Sequence, residues 1–290
     1  MYYVIKRKRI FAAAAILGML ILSIFISISG IMSVQTAGKK DCITLPVIMY
    51  HGFTENKDRQ NLYIISPQHL KDDLEYLKNN GYETISVSDL VSHFKNGTKL
   101  PEKPVMLTFD DGYYDNYVYA YPLLKEYGCK ALISPIAKSI DDAENDDNRN
   151  VMWSQCRWEE YREMCSSGLV ELGNHTYDLH HINDGIQGIQ KRKGETESEY
   201  KVRIKDDLQK ANERIEKETG KAPQAIVYPY GAVSSETYSI IKEIGFSASF
   251  DCEEKMNILY SPDDLFSIHR FLRPDDLSSE VFFKKLSADG

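Results

Sequence analysis

Two adjacent carboxylates, Asp110 and Asp111, close a short apolar run, Val105–Leu107 with Thr108 and Phe109, bounded by Pro104 and Gly112. Such a run reads as a buried strand. Side chains alternate along a strand, but where the chain turns at its end two neighbours can aim into one site. Anionic charges that close repel unless a cation or proton is shared between them, so the pair points to metal or acid–base chemistry. A helix N-cap is the competing explanation, because Asp is favoured there and the helix-like Tyr113–Tyr127 follows. A second cluster, His175, His180 and His181, follows another apolar run, Gly168–Gly173. On a helix, His175 and His180 would diverge by about 140°; a loop leaving a strand has no such limit. With Asp111 they form a two-histidine, one-carboxylate set that leaves positions open on a small divalent ion. His69 and His93 have no such company and read as ordinary hydrogen-bonded or surface residues.

The elements that must position these groups alternate. Leu45–Tyr50 reads as a strand ending in His51-Gly52, and Ser66-Pro67 opens a helix with Leu70, Leu74 and Leu77 as its apolar stripe. The strands Tyr82–Val87, Val105–Phe109, Lys130–Pro135, Gly168–Gly173, Ala225–Tyr228, Phe246–Phe250 and Phe266–Phe271 alternate with helices over Ser88–Phe94, Tyr117–Tyr127, Trp153–Cys165, Tyr200–Glu218 and Ser235–Ile244. Gly185–Glu199 is polar and reads as a loop. This alternation favours a parallel sheet, open or closed. Acidic or histidine residues at the ends of several strands favour the closed form, because barrels build their sites from strand C-termini.

The chain has 290 residues and a net charge of -8, which argues against a nucleic-acid partner. Lys6-Arg7-Lys8-Arg9 precede an almost uncharged run, residues 10–34, long enough to cross a bilayer. The expected organisation is a cytoplasmic basic tail (residues 1–9), a transmembrane anchor (10–34), a linker (35–44) and one extracytoplasmic domain (45–290). Secretion after signal cleavage is the alternative. The five cysteines show no metal-site spacing, and Cys156 and Cys165 fall on opposite faces of the expected helix. Asp141–Asp147 reads as a solvated acidic loop. Oligomeric state is not encoded in any of these features.

Three ordered motifs carry a resemblance. Thr108-Phe109-Asp110-Asp111-Gly112, then Gly173-Asn174-His175-Thr176, then Tyr228-Pro229-Tyr230-Gly231 resemble the polysaccharide deacetylases of the NodB-like carbohydrate esterase family, over about Leu45 to Phe271 and including Met49-Tyr50-His51. The five-residue histidine spacing is similar to that of the branch acting on poly-β-1,6-N-acetylglucosamine. The resemblance implies an α/β fold, a distorted (β/α) barrel with fewer regular strands than a full eightfold one. It implies a hydrolase that removes N-acetyl groups from a surface polysaccharide, peptidoglycan or poly-N-acetylglucosamine. Asp110 would be the general base, and Asp111, His175 and His180 would hold a divalent metal. His181 is a substitute if the register shifts. Zinc is the first choice, and cobalt, nickel and manganese are the other ions such a set accepts. The Tyr230 backbone N–H would help hold the oxyanion.

The sequence departs from the family pattern at two places. Val227 stands where the family has an Arg that orients the base, with Arg270 or Arg273 as possible replacements. The family's terminal Leu-x-His general acid is matched only loosely by Ser267-Ile268-His269, and His51 is a rival. These departures leave open a catalytically silent glycan-binding module of the same fold. Tyr113, Tyr114, Tyr177 and Trp153 are candidates for stacking on sugar rings, with Trp153 the one expected to be ordinary packing.

Overall fold

The fold is seen in a computed structural model that describes residues 42–144, 146–183 and 185–288. The expected anchor, residues 10–34, lies outside them. Among the described residues, no helix is long and apolar enough to cross a membrane.

The frame is a ring of parallel strands: β1 (Val47–Tyr50), β2 (Pro104–Asp111), β3 (Ala131–Pro135), β4 (Val170–Leu172), β5 (Ala225–Val227), β6 (Ala248–Phe250) and β7 (Phe271–Leu272). Laddered pairing runs β7-β1-β2-β3-β4, and β5 pairs with β6. The two arcs are joined by single bridges, Asn174 to Ile226 on one side and Phe250 to Ile268 on the other. This is the distorted barrel expected, closed at two places by one residue pair rather than by a full ladder.

β2 is the central strand. From Pro104 to Asp110 every residue is buried, and it pairs with β1 and β3. Strands covered on both faces read as continuous apolar runs, which is why this one shows no alternation. Inside and around the ring, Ile48, Leu107, Phe109 and Ile133 belong to one cluster, and Val47, Met106, Leu132, Val227 and Phe250 to another. The helices pack outside. Pro67–Asn79 starts from Ser66, whose hydroxyl accepts the His69 N–H, and it buries Leu70, Leu74 and Leu77.

Several boundaries differ from the sequence reading. The helix expected from Trp153 begins at Trp158, because Glu160 folds back onto the Arg157 N–H and fixes the first turn there. Trp153 is left in the preceding turn. The helix expected over Tyr117–Tyr127 is present, but it starts earlier and opens with a wide π turn, Asn116–Ala120, that runs into Tyr121–Tyr127, where Pro122 lacks the N–H of a regular helix. Of the expected strand Phe266–Phe271, Phe266 ends a 3-10 turn opened by Pro262, and only Ile268 pairs before β7 starts. The polar stretch after Gly185 contributes to a small hairpin, Ile182–Asn183 with Ile186–Gln187, and its last residues open the helix Glu197–Thr219 on a Thr196 cap. A short antiparallel pair, Ile43–Leu45 with Asn257–Leu259, has no counterpart in the sequence reading. All five cysteines are free.

One buried ion pair ties the last strand to the first helix. Arg273 Nε donates to Asp73 Oδ2 at 2.8 Å, both side chains are fully buried, and the Tyr50 hydroxyl donates to the same oxygen at 2.9 Å. Burial pushes the Asp73 carboxyl up, and Arg273 pulls it back. Arg273→Met strands that carboxylate, so it is expected to lower stability by about 3–5 kcal/mol in urea titrations at pH 7. Adding Asp73→Leu should recover most of the loss. A single variant as stable as the parent would contradict this account.

Candidate metal and acid–base site

In a parallel ring all the strands end on one side, and the chemistry gathers there. β1 runs into His51, β2 ends in Asp110-Asp111, β4 leads to His175 and β5 to Tyr230. His51, Asp110, Asp111, His175, His180 and Tyr230 line one cavity of about 800 Å³.

The two aspartates diverge because the chain turns between them. Asp110 keeps strand geometry and is buried, while Asp111 takes φ 66° and swings its carboxylate toward the histidines. Gly112 makes this turn possible. At φ 75°, a Cβ there would lie 2.2 Å from the Tyr161 hydroxyl and 2.7 Å from Pro135 Cβ, so no side chain fits. The Tyr161 hydroxyl donates to the Gly112 carbonyl at 3.0 Å and pins the turn.

Asp111 Oδ1 lies 3.6 Å from His175 Nε2 and 3.3 Å from His180 Nε2. The three ligand atoms fall within 4.8 Å of one another, the only such group of three among the described residues. Asp111 Oδ1 is buried without a hydrogen-bond partner. An orphaned carboxylate oxygen facing two imidazole nitrogens is what a cation would satisfy, and the donor set suits a divalent ion. The outer contacts agree. His175 Nδ1–H donates to the Val227 carbonyl at 2.8 Å, leaving Nε2 to face the set, and His180 Nδ1 sits 3.3 Å from the Tyr230 hydroxyl. His181 is not part of the group.

Asp110 is held by a different partner. Arg270 Nη1 donates to its Oδ1 at 2.7 Å, and the guanidinium is fully buried. Burial alone would raise this carboxyl, but Arg270, with His175 and His51, brings it down to about 2. Arg270 thus stands on the buried aspartate in the manner expected of the missing Arg at Val227, while Arg273 is committed to Asp73.

His269 does not line the cavity. It neighbours Arg270, but the two side chains go to different partners, His269 to Asp251 and Arg270 to Asp110. Its Nδ1 is taken by Asp251 at 3.0 Å, and its backbone is bracketed by Asn257. His51 lies inside instead, its Nε2 3.9 Å from Asp110 Oδ2 and its ring edge-on to Tyr63. Burial lowers the His51 pKa, with Asp110 and Asp111 pulling it back up.

Of the aromatic candidates, Tyr113 and Trp153 line the cavity. Trp153 is 57% exposed, with Arg59 over its ring at 4.4 Å, and so is not packing. Tyr114 is covered by Arg149 and Tyr177 by Lys210. Sequence reasoning missed Tyr63 and Asp115 in the wall. No motif flags them, since Tyr63 sits in an irregular loop and Asp115 in the first helical turns after Gly112.

A family model described as polysaccharide deacetylase matches residues 97–249. The chain belongs to the polysaccharide deacetylase family. A relative from Escherichia coli K12 named poly-beta-1,6-N-acetyl-D-glucosamine N-deacetylase is 26% identical over 263 residues, covering 82% of this chain but 38% of that protein. The chain therefore spans well under half the length of that relative. A Staphylococcus aureus N315 relative of the same name is 29% identical over 224 residues, covering 77% of this chain and 72% of that one. Among solved structures, a de-N-acetylase from Aggregatibacter actinomycetemcomitans superposes with TM-score 0.71 at 28% identity, over 84% of this chain and all of that chain. IcaB from Ammonifex degensii gives TM-score 0.68 at 26% identity, over 84% and 96% of the two chains. The NodB-like deacetylase fold is thus established for this chain.

The donor set makes a binding prediction that needs no substrate. Asp111→Ala should abolish stoichiometric zinc binding in equilibrium dialysis. Tyr230→Phe, which removes only the outer contact to His180, should weaken it by about tenfold or less. Full zinc occupancy in Asp111→Ala would remove Asp111 from the set.

Proposed function

We propose that this chain is a metal-dependent hydrolase that removes N-acetyl groups from an N-acetylglucosamine surface polysaccharide of the β-1,6-linked kind. One observation carries the reading: an ion-holding set, Asp111, His175 and His180, shares a cavity with a second carboxylate that Arg270 keeps apart from it. The names of the relatives support the sugar and the linkage. A divalent ion in that set, zinc first and cobalt, nickel or manganese otherwise, supplies Lewis-acid polarisation of the acetyl carbonyl and a lowered pKa for water.

The chain's own residues do the rest. Asp110, ionised at any physiological pH, takes the proton of the attacking water. The Tyr230 N–H, set by a left-handed turn at φ 59°, serves the oxyanion of the tetrahedral adduct. The C–N bond then breaks with its electron pair on nitrogen, and His51 Nε2–H supplies the proton to that nitrogen. Acetate and a free sugar amine result. His51 takes this role over His269 because it faces the cavity. The motives for a catalytically silent module are the missing Arg and the loosely matched terminal His; Arg270 on Asp110 and His51 in the cavity favour the enzyme over it. We also place the domain outside the cytoplasmic membrane on an anchor at residues 10–34, supported by Lys6–Arg9 ahead of the apolar run. Protease digestion of the domain on intact cells tests that topology.

Acetate release from β-1,6-linked N-acetylglucosamine oligomers should be stopped by a chelator and restored by zinc. Asp110→Asn should cut kcat by at least about 100-fold while oligomer binding persists. Absence of chelator-sensitive release would sink the proposal.

Arg270 makes a pH prediction. A rate that needs ionised Asp110 rises with pH through that group's pKa, so a carboxyl held near 2 puts the limb below the working range. In Arg270→Gln burial acts without its counter-charge and the carboxyl rises. The acid limb of kcat/KM should therefore move to higher pH, with activity lost first at low pH. An unmoved limb would assign Arg270 a packing role only.

A further inference from the structure

His51 reaches the cavity from a short irregular peptide between β1 and a two-residue strand, Gly52–Phe53. Two side chains just past the Asp-Asp turn grip that peptide. Asn116 Nδ2 donates to the His51 carbonyl at 2.8 Å and to Asp115 Oδ1 at 2.6 Å, while the Phe53 N–H donates to Asp115 Oδ2 at 2.9 Å. Asp115 and Asn116 thus hold the polar backbone groups on either side of Gly52, whose own N–H goes to the Tyr63 carbonyl at 3.1 Å. A Cβ at position 52 would come within 3.1 Å of Asp115 Oδ2, so the grip leaves little room for a side chain there.

The arrangement is poorly chosen for stability alone. Both residues are buried, at 1% and 0% exposure, and Asn116 Oδ1 has no partner. A buried orphan acceptor costs about 1–3 kcal/mol. Burial also pushes the Asp115 carboxyl up to about 7, against the pull of the Phe53 and Asn116 donors. What these two residues achieve is registration. The segment that carries Asp110 and Asp111 grips, a few residues later, the segment that carries His51.

We propose that Asp115 and Asn116 are positioning residues that lock the His51 backbone so that its Nε2 stands over Asp110, where it can meet the leaving amine. This rests on the acid role given to His51 above. The proton moves from His51 Nε2 to the nitrogen whose bond to the acetyl carbon is breaking, and the clamp touches neither atom.

The test uses the zinc-loaded full chain and two substrates. A β-1,6-linked N-acetylglucosamine oligomer needs a proton on its leaving nitrogen; an aryl acetate leaves as a stable phenolate and does not. Asn116→Ala should lower kcat on the oligomer by about 10–100-fold, with KM and zinc content near the parent's and a much smaller loss on the aryl acetate. Gly52→Ala, which pushes on Asp115 without removing a hydrogen bond, should give the same split. It stands in if Asn116→Ala fails to fold. His51→Ala should show the split alone, and adding Asn116→Ala to it should cost nothing further. If both substrates and zinc content fall together, or the double variant loses a further factor, the clamp is merely structural and the proposal is wrong. If His51→Ala shows no split, the acid role itself fails. A clamp variant that leaves the oligomer rate intact overturns the clamp alone.

Discussion

The buried pair of Arg270 and Asp110 is the contact on which the site's layout depends. Both side chains are almost wholly withdrawn from water, and they join β2 to the irregular segment that closes the ring beside β1. Breaking such a pair leaves an uncompensated interior charge, so each member is a requirement for the other. The segment that supplies Arg270 meets β6 through a single bridge, and it is further tied by Asn257 on the His269 backbone, by the Arg270 N–H on the Glu253 carbonyl and by the Arg270 Nε bond to the Asp251 carbonyl. One guanidinium thus takes part both in the last closure of the barrel and in keeping the Asp110 carboxyl low.

That contact separates the labour of two adjacent carboxylates. Left together in a low-dielectric pocket, one of them would hold a proton. Arg270 neutralises Asp110 from inside the ring, and the turn at φ 66° sends Asp111 outward to the histidines. That separation is what the proposed reading requires, with Asp110 free to accept a proton and Asp111 turned to where an ion would sit. The histidines are fixed from behind by different means, His175 by the Val227 carbonyl and His180 by the tilted ring and hydroxyl of Tyr230. The position where the family has its Arg contributes a main-chain oxygen here, and the charge arrives from Arg270 instead.

The strand that carries Asp110 and Asp111 is legible in the sequence because it is one unbroken apolar run between a proline and a glycine. His175 and His180 are legible as a pair only because a strand precedes them, which removes the helical spacing rule. Arg270 is one of two candidates there; a choice between it and Arg273 depends on which side chain the irregular segment turns toward Asp110, and that direction is invisible without the fold. The same direction misleads the expectation for His269, whose ring goes to Asp251. Trp153 reads as packing because aromatic residues usually are, but the helix cap at Arg157 and Glu160 leaves it in the turn before. The closures of the barrel by Asn174–Ile226 and Phe250–Ile268 are single pairs with no periodicity, so no pattern in the sequence announces them. Asp115 and Asn116 give no signal either, since their partners are backbone groups more than sixty residues away.

Strain is concentrated where chemistry is expected. Among the described residues, the non-glycine positions with positive φ are Asp111, Thr176 and Tyr230, and all three lie in or beside the group of Asp111, His175 and His180. Each such backbone costs on the order of 1–3 kcal/mol, most for a β-branched residue such as Thr176. The surroundings over-determine every one of them. Thr176 is held by its N–H on Asn174 Oδ1 and by its hydroxyl accepting the Leu179 N–H, and Asn174 is itself tied to the Leu208 carbonyl of the long helix. Asp111 is braced by the Gly112 turn against Tyr161. Tyr230 precedes Gly231, where a Cβ would lie 2.9 Å from the Cys252 backbone nitrogen. The barrel supplies parallel strand ends, which by themselves would aim neighbouring side chains to alternate sides. Bringing two aspartates, two histidines and a main-chain N–H to one cavity requires the chain to leave strand geometry at three points, and the packing around those points is what keeps it there.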